Sequence, residues 1–345
     1  MLKSLKLKNF TVFKKADLKF ASGLNVIVGE NGTGKTHILK AAYSAICVSA
    51  KGKKDSGSAT PTKAYLQNAA ADKLTAVFRA DELGSLISRN RSGQQACEVS
   101  CLFSDETKNL SFSFNSTSKK VSVISTPSAW IQEMPVYLPT RELLSIYPGF
   151  VSLYETTHLP FEETWRDTCV LLGSPLTKEY PEKLLAPLEQ AMGGKVELDK
   201  AGRFSLNTAG FSMEMHLVAE GFRKLAMIAR LIAAGHLDKG FLFWDEPDAN
   251  LNPRIIRLVA HTILHLCKSG VQVFVATHSL FLLRELDILL HHTEFKEISS
   301  QYMGLHRNKN GVETKQGATV DDIGEIAALQ EELSQSDRYL DQEVH

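Results

Sequence analysis

The sequence predicts an α/β fold in which strand–helix alternation at both ends encloses an inserted, largely antiparallel region. Near the amino end, the apolar segment "LNVIVG" runs into a glycine-rich turn and then into a helical pattern. Near the other end, the apolar segments "FLFWDEP" and "VQVFVATHS" alternate with helical patterns. Between these regions lie short alternating segments separated by polar turns, which are typical of an antiparallel sheet with one solvated face.

Composition indicates a globular protein, with 43% hydrophobic and 23% charged residues in a chain of 345. The formal net charge is zero, so the overall charge favours neither nucleic acid nor a membrane as partner. Charge is unevenly distributed: residues 1–63 carry twelve lysines against three acids, and residues 321–345 carry eight acids against one arginine. Contact of the basic region with DNA stays open, because its lysines partly alternate along strands and include the glycine-rich turn itself.

The chain shows neither a secretory signal pattern at "MLKSLKLKNF" nor an apolar stretch of about 18 residues that would span a membrane. The five cysteines are an odd number and lie mostly in apolar surroundings, as expected for buried thiols in a reducing compartment. We therefore expect a cytoplasmic protein.

The first half of the chain reads as strands around one helix. Residues 1–28 predict three strands, and "HILKAAYSAICVSA" predicts the helix that follows the glycine turn. A polar, flexible insertion or linker is predicted over 51–63. The segments "LTAVFRA", "ACEVSCLFS", "LSFSFNS" and "VSVIST" are predicted strands, and "MPVYLPTRELLSIYPGF" predicts a strand that breaks at Pro139 into a loop and helix.

The second half alternates helices and buried strands. Residues 161–192 read as helical with a break at "GSPLTKEYP", and "KVELDKAGRFSLN" reads as a hairpin. Residues 217–235 form the strongest amphipathic helix pattern, ended by Gly235. The strands "FLFWDEP" and "VQVFVATHS" are then followed by helices over 254–268 and 280–290.

These patterns divide the chain into five regions. They are the amino-terminal part of the core with the glycine turn (1–63), an antiparallel β subdomain (64–138), a mainly helical insertion (139–204), the carboxyl-terminal part of the core (205–300), and a final strand/helix region with an acidic tail (301–345).

The glycine turn fits the phosphate-binding pattern G-x-x-x-x-G-K-[ST], with the strand before it and the helix after it that this pattern requires. Glycines let successive N–H groups point at a phosphate, and the helix adds its positive amino end. Lys35 would reach the β- and γ-phosphates, and the Thr36 hydroxyl would ligate Mg²⁺. The predicted nucleotide-binding residues are Gly29, Glu30, Asn31, Gly32, Thr33, Gly34, Lys35, Thr36 and His37.

A magnesium-dependent site needs an acid on a neighbouring buried strand, and "FLFWDEP" supplies two. Asp245 would hold Mg²⁺ through water, and Glu246 would polarise the attacking water. Adjacent Asp and Glu separate ATPases with a catalytic glutamate from small GTPases, and no guanine-reading N-K-x-D motif is present, so ATP is the predicted nucleotide. His278, just past the strand "VQVFVATHS", would contact the γ-phosphate. The predicted catalytic residues are thus Glu246, His278 and Lys35, with Thr36 and Asp245 as metal ligands.

In this order, the glycine loop, the 217–235 helix, "DEPDANLNP" and "ATHS" resemble the ABC-type ATPase heads of the SMC/RecF/RecN and OLD-type group, over roughly 1–45 and 205–290. The segments "YLPTREL", "HLVAEGFRKLA" and "LFWDEPDANLNP" are also similar to compact bacterial ATPases often found in anti-phage defence operons. The resemblance implies a P-loop NTPase head with a mixed central sheet, an antiparallel β subdomain and an inserted helical subdomain.

The resemblance further implies a homodimer that encloses two ATP molecules, each glycine loop facing the signature helix of the other copy. The signature falls on Ala219, Glu220, Gly221, Phe222 and Arg223, with Arg223 or Lys224 as additional phosphate contacts. Ala219 stands where the family has a serine, which removes a hydroxyl that would bind the γ-phosphate. Asp248, Ala249 and Asn250 match the loop that crosses to the other subunit, and Asn250 replaces the aspartate usual in transporters.

Three functions fit this sequence. The first is a regulatory ATPase of an anti-phage or toxin-like module, which forms a nucleotide-gated dimer or larger assembly and controls a separate effector such as a nuclease. The second is a RecF- or SMC-like ATPase that acts on DNA directly, although residues between glycine loop and signature show no sustained heptads. The third, a transporter subunit, is disfavoured by Ala219 and Glu220.

Overall fold

The computed structural model describes residues 1–88, 96–157, 159–179, 181–309 and 311–343. The strands are β1 (Leu2–Phe10), β2 (Phe13–Lys19), β3 (Leu24–Gly29), β4 (Cys97–Phe103), β5 (Leu110–Phe114), β6 (Ser122–Ser125), β7 (Val136–Leu138), β8 (Lys195–Leu198), β9 (Phe204–Asn207), β10 (Ser212–Glu214), β11 (Gly240–Asp245), β12 (Val271–Thr277), β13 (Ser300–Asn308) and β14 (Gly311–Gly317). The helices are α1 (Lys35–Ser56), α2 (Lys63–Phe78), α3 (Tyr147–Thr157), α4 (Glu163–Leu172), α5 (Glu182–Met192), α6 (Glu220–Ala233), α7 (Pro253–Lys268), α8 (Leu280–Leu290) and α9 (Ala327–Glu343).

A mixed six-stranded sheet, ordered β14-β13-β3-β12-β11-β7, forms the centre of the molecule. Its neighbouring strands run parallel, except that β14 is antiparallel to β13. Every residue of β3, β11 and β12 is buried, because both faces of the sheet are covered, as the apolar runs predict. The carboxyl ends of these three strands lie at one edge, where parallel sheets place their ligand sites.

The two faces of the central sheet belong to two hydrophobic cores. On one face, Ile27, Phe243 and Phe274 pack with α1 and with the antiparallel sheet, and the rings of Phe243 and Phe274 stack at 4.7 Å. On the other face, Val26 and Trp244 pack with α6, α7, α8 and the inserted helices. Successive side chains of each strand point to opposite faces of the sheet, so each strand contributes to both cores. The glycine turn at the end of β3 therefore lies between the two cores.

The antiparallel sheet is ordered β2-β1-β4-β5-β6, so strands from the amino end of the chain pair with strands of the inserted region. Along β4, Cys97, Val99 and Cys101 are buried in alternation, as predicted for a sheet with one solvated face. The predicted hairpin is also confirmed, because β8 pairs antiparallel with β9, and β10 extends this small sheet. The division into five regions remains a prediction.

Two sequence-based predictions about residues 51–80 are wrong. The segment "LTAVFRA" is not a strand but belongs to α2, whose buried Leu66, Ala70, Leu74 and Val77 follow helical spacing. Within the seven residues of this segment, apolar and polar residues alternate as they do in a strand. Over the longer segment the same apolar residues follow the spacing of a helix. The predicted flexible linker over 51–63 begins too early, since α1 continues to Ser56 and ends at Gly57 in a left-handed conformation (φ 65°).

The predicted fold class is otherwise confirmed: an α/β head with a mixed central sheet, an antiparallel sheet and inserted helices. Among the described helices, none combines the length and the apolar character needed to cross a bilayer.

Candidate nucleotide-binding site

The glycine loop connects β3 to α1 at the carboxyl edge of the central sheet. Gly34 has φ 94°, and a Cβ there would lie 2.6 Å from Cγ2 of Val12. Thr33 Oγ1 donates to the carbonyl of Glu30 at 2.7 Å and closes the turn. Since Gly34 caps α1 without a side chain, the first N–H groups of α1 face the loop, where an anion is favoured.

Lys35 is almost fully buried inside this loop. Its Nζ donates to the carbonyls of Gly29 at 2.7 Å and Glu30 at 3.1 Å. Burial lowers the pKa of Lys35, and the carboxylates of Glu246 and Asp245 oppose that shift. The buried Lys35 ammonium thus lies among several carboxylates, a position from which it can bind a phosphate oxygen.

Thr36 and Asp245 meet across the gap between α1 and β11. The Thr36 Oγ1 lies 3.0 Å and 2.8 Å from the two carboxylate oxygens of Asp245, and the Tyr137 hydroxyl donates to the same carboxylate at 3.4 Å. Burial raises the pKa of Asp245 to about 6, against the lowering effect of the Thr36 hydrogen bond.

This pair fits a magnesium ion. A hydroxyl and a carboxylate supply the hard oxygen ligands that Mg²⁺ takes in proteins, alongside water and substrate phosphates. Across the described residues, no group of three or more His, Cys, Asp and Glu forms an all-protein metal cage. The donor set therefore suits an ion that arrives with a nucleotide.

Glu246 and His278 lie next to each other at the ends of β11 and β12. His278 Nδ1 lies 3.1 Å from Glu246 Oε1, and both side chains are partly exposed. Glu246 has φ 47°, an uncommon conformation for a residue with a side chain, and its N–H donates to the Ala276 carbonyl at 2.8 Å. The structure thus brings together two residues that are 32 positions apart in the sequence.

The loop after Glu246 is bonded to the sheet edge and to α6. Thr277 Oγ1 donates to Asp248 at 2.6 Å, and Asn250 Nδ2 donates to Glu220 Oε1 at 3.0 Å. The Ala249 carbonyl accepts a hydrogen bond from Lys224 Nζ at 2.6 Å.

The signature segment begins α6. Ala219 is the N-cap, and a Cβ at Gly221 would lie 3.1 Å from Cδ2 of Leu251, so this turn packs on the loop after Glu246. Phe222 packs against the core that contains α6. Arg223 forms a 2.7 Å ion pair with Glu142, whose side chain is buried.

The side chain of His37 packs against α2. Its ring centroid lies 5.5 Å from that of Phe78, and burial followed by the nearby charge of Lys40 lowers its pKa to about 4. The structure thus places a packed imidazole ring at this predicted nucleotide-binding position.

Sequence reasoning missed one side chain that supports the site, Tyr137, and gave a second one, Lys224, a different role. Tyr137 reads as an ordinary core residue of an apolar strand, so nothing marks its hydroxyl as a partner of Asp245. Lys224 was expected as a phosphate contact beside the signature, whereas its Nζ donates to the Ala249 carbonyl. Its position within the apolar stripe of the 217–235 helix is a signal that was available.

Two family models match successive parts of the chain. A model described as "AAA domain, putative AbiEii toxin, Type IV TA system" matches residues 143–284, and a model described as "AAA domain" matches residues 4–132.

Short segments are similar to the DNA replication and repair protein RecF. The identity is 46% over 56 residues with RecF of Agathobacter rectalis, which covers 16% of this chain and 16% of that protein. With RecF of Streptococcus gordonii it is 50% over 42 residues, 12% of each chain. The matched part thus spans less than a fifth of these relatives.

Solved SMC heads share the fold along nearly the whole chain. The SMC head domain from Thermotoga maritima superposes with a TM-score of 0.51 at 15% identity, over 91% of this chain and 97% of that one. The SmcHead bound to the C-winged helix domain of ScpA gives a TM-score of 0.57 at 15% identity, over 93% and 98%. At such identities the likeness concerns the fold alone. Together, the two AAA-domain matches, the RecF-like segments and the SMC-head fold support an SMC/RecF-like P-loop ATPase head of the ABC type.

Proposed function

We propose that this protein binds and hydrolyses ATP with Mg²⁺ at the carboxyl edge of the central sheet. The observation that carries the proposal is the pairing of Thr36 with Asp245 beside the pairing of Glu246 with His278. One pair offers ligands for a metal–phosphate complex, and the other offers a carboxylate held by an imidazole. That combination is what in-line attack of water on a phosphate requires.

Each residue has a separate task in this proposal. The loop N–H groups and Lys35 bind the phosphates, while Thr36 and Asp245 hold the ion. When bound, Mg²⁺ neutralises charge on the phosphate oxygens. Glu246 orients the attacking water and accepts its proton, because its carboxylate is partly exposed next to the buried ligand pair. His278 fixes the Glu246 carboxylate through its Nδ1.

The test compares Glu246→Gln with Lys35→Ala. Glu246→Gln keeps the shape of the side chain but not its basicity, so ATP should bind while single-turnover hydrolysis falls by about 100-fold or more. Lys35→Ala should weaken ATP binding itself. The matched control is Glu297→Gln, which makes the same change at an exposed glutamate beside the amino end of β13. Hydrolysis at the wild-type rate in Glu246→Gln would refute the assignment.

We further propose that two copies of the chain enclose the nucleotides. Support comes from charge: Lys35 already donates to two carbonyls of its own loop and lies among the carboxylates of Glu246, Asp245, Asp248 and Glu30, so partners from a second copy would favour a bound triphosphate. The amino end of α6 has an exposed cap, Ala219, without a side-chain hydrogen bond, and its first N–H groups would meet the γ-phosphate held by a second copy.

For its biological role, we propose that the ATP-gated dimer or a larger homo-oligomer controls a separate effector, a nuclease or toxin of a bacterial anti-phage system. The description of the model that matches residues 143–284 names a putative toxin of a toxin–antitoxin system, which supports this choice. Co-expression with the product of an adjacent reading frame, followed by purification with and without ATP, tests it. Stable co-purification that responds to ATP is the expected result.

A second candidate is direct action on DNA. It is favoured by the RecF-like segments and by the exposed lysines of β1 and β2, although Lys6 and Lys8 pair with Asp17 and Glu98. ATP hydrolysis by the chain alone would then rise with added duplex DNA and lose that response at high salt. Such stimulation, without co-purification of an effector, would favour the DNA-acting function over the defence function.

A further inference from the structure

Lys224 is among the most completely buried large side chains of the described chain, with 2% of its surface exposed. Lysine is seldom buried to this extent unless its charge is paired. The Nζ donates to the Ala249 carbonyl at 2.6 Å, and the carboxylates of Asp248, Glu220 and Glu246 act on its charge. The ammonium is therefore directed at the loop that follows Glu246 and not at solvent.

That loop has a strained backbone. Glu246 and Asn250 have φ of 47° and 63°, in the left-handed region that residues with a Cβ seldom occupy. Such conformations persist only where the surrounding contacts fix them, and they concentrate at functional sites. The orientation of the Glu246 carboxylate thus depends on what holds residues 246–250.

Contacts from two sides hold the loop. On the sheet side, Glu246 N–H donates to the Ala276 carbonyl and Asp248 accepts from Thr277. On the helix side, Lys224 binds Ala249 and Glu220 accepts from Asn250. Glu220 and Lys224 lie one turn apart on α6, so the first turns of this helix form one wall of the loop.

We infer that Lys224 is a positioning residue for Glu246, which fixes the 246–250 loop to the start of α6. The inference rests on the proposed role of Glu246. Lys224 makes no contact with the phosphates, unlike its expected role beside the signature, because its ammonium is buried against Ala249. A displacement of the first turn of α6 is passed to the loop through Lys224 and Glu220, and so to the catalytic carboxylate.

Lys224→Met tests the inference, since methionine keeps an unbranched side chain of similar length without the donor. We expect kcat to fall by about 10- to 100-fold, as for a small misplacement of a catalytic group. Affinity for a non-hydrolysable ATP analogue should change by less than about 3-fold, because the phosphate ligands are untouched. The midpoint of thermal unfolding should not fall, because a buried charge is removed together with its desolvation cost.

Arg230→Met is the matched control. Arg230 is also a buried cation of α6, but it donates to the carbonyls of Leu172 and Ser174 in the inserted region. Its loss should leave kcat unchanged, because these carbonyls lie in the inserted region and not in the loop that follows Glu246. Equal losses of kcat in the two variants, or an unchanged kcat in Lys224→Met, would overturn the inference.

A double mutant shows whether Lys224 acts through Glu246. In a Glu246→Gln background, Lys224→Met should cause no further loss of single-turnover rate, because both changes affect the same step. Independent, multiplying losses would overturn the positioning role. If Lys224→Met does not fold, Lys224→Gln retains a donor without the charge and should show a smaller loss of kcat; an undiminished kcat there would also overturn it. Wild-type hydrolysis in Glu246→Gln alone would instead refute the proposed function itself.

Discussion

Asp245 and Asp167 are both buried carboxylates, but their surroundings shift their pKa values in opposite directions. Burial raises the pKa of Asp245 to about 6. Burial would likewise raise the pKa of Asp167, but Lys73 and Lys51 lower it below the ordinary value of 3.8. One carboxylate is therefore destabilised in its ionised form, whereas the other is stabilised.

The first prediction is that Asp245→Asn stabilises the protein in the absence of nucleotide and metal. A pKa of about 6 against the ordinary 3.8 corresponds to about 3 kcal/mol at about 1.4 kcal/mol per pKa unit. Since the folded pKa is the higher one, the penalty is absent below about pH 4 and complete above about pH 6. Wild-type stability should therefore fall across that window relative to Asp245→Asn, as measured by urea unfolding in EDTA. Magnesium-dependent hydrolysis should be lost in the same variant.

Asp167→Asn is the control with the opposite sign. Its carboxylate pairs with Lys73 and Lys51 and accepts a hydrogen bond from Tyr43 at 2.7 Å. Removing its charge leaves a buried lysine poorly paired and should destabilise the protein by about 3 kcal/mol at neutral pH. That loss should shrink as the pH falls through the lowered pKa of Asp167. A decrease in stability for Asp245→Asn at pH 8 would contradict the first prediction.

At the scale of elements, the sequence predicted what is local and missed what is distant. The β3–loop–α1 unit, β11 and β12 follow from contiguous apolar runs with their own start and stop signals. The pairing of β1 with β4 joins residues about 90 positions apart, and no local pattern specifies that register. The same limit applies to the candidate site. Asp245 and Glu246 can be recognised from the sequence because they directly follow an apolar strand. The role of Lys224 cannot, because it depends on contact with Ala249, which is distant in the sequence.

The carboxyl half of α1 shows how packing overrides helix propensity. Gly52 lies within the helix, and a Cβ there would lie 2.2 Å from Cζ3 of Trp130. Trp130 is buried and its Nε1 donates to the Ser58 carbonyl at 2.9 Å. The glycine, which made the segment read as a linker, thus admits the indole ring against the helix.

The second prediction is that Gly52→Ala destabilises the protein. In a helix with free space at this position, alanine would be more stable than glycine by about 1 kcal/mol. Here the added methyl group must displace a packed ring, which typically costs about 1–3 kcal/mol. We expect a net loss of about 1–2 kcal/mol in the free energy of unfolding, measured with urea. In a Trp130→Leu background the ring is absent, and Gly52→Ala should become neutral or stabilising. Stabilisation by Gly52→Ala in both backgrounds would show that the ring does not restrict this position.

At the scale of the whole molecule, α1 connects the nucleotide site to the inserted helices. The helix that begins at Lys35 is tied to the insertion by a 2.5 Å ion pair between Lys40 and Glu162 and by contacts of Tyr43 and Lys51 with Asp167. On the other side of the site, α6 is tied to the same insertion through Arg230. Both helices that border the candidate site therefore share one neighbour, the inserted helices.

The last prediction concerns Ala219, where the N-cap of α6 coincides with the proposed contact between two copies. Ala219 has φ −57° and ψ 141°, a backbone in which a serine hydroxyl can accept from the N–H two or three residues on. Ala219→Ser should therefore stabilise the single chain by about 1 kcal/mol. If α6 faces the nucleotide of a second copy, the hydroxyl also gains a phosphate contact.

The two effects can be separated because one requires ATP and a second copy. In a Glu246→Gln background, Ala219→Ser should tighten the ATP-dependent dimer by about 10-fold or more, as a hydrogen bond to a charged group does. Sedimentation velocity over a range of protein concentrations, with ATP and with ADP, measures this change. The ADP-bound chain should remain unaffected, since the contact is with the γ-phosphate. The variant could instead gain free energy of unfolding while its ATP-dependent dimer stays as weak as before. The cap of α6 would then lie away from the shared nucleotide, and the dimer proposed for this head would be wrong.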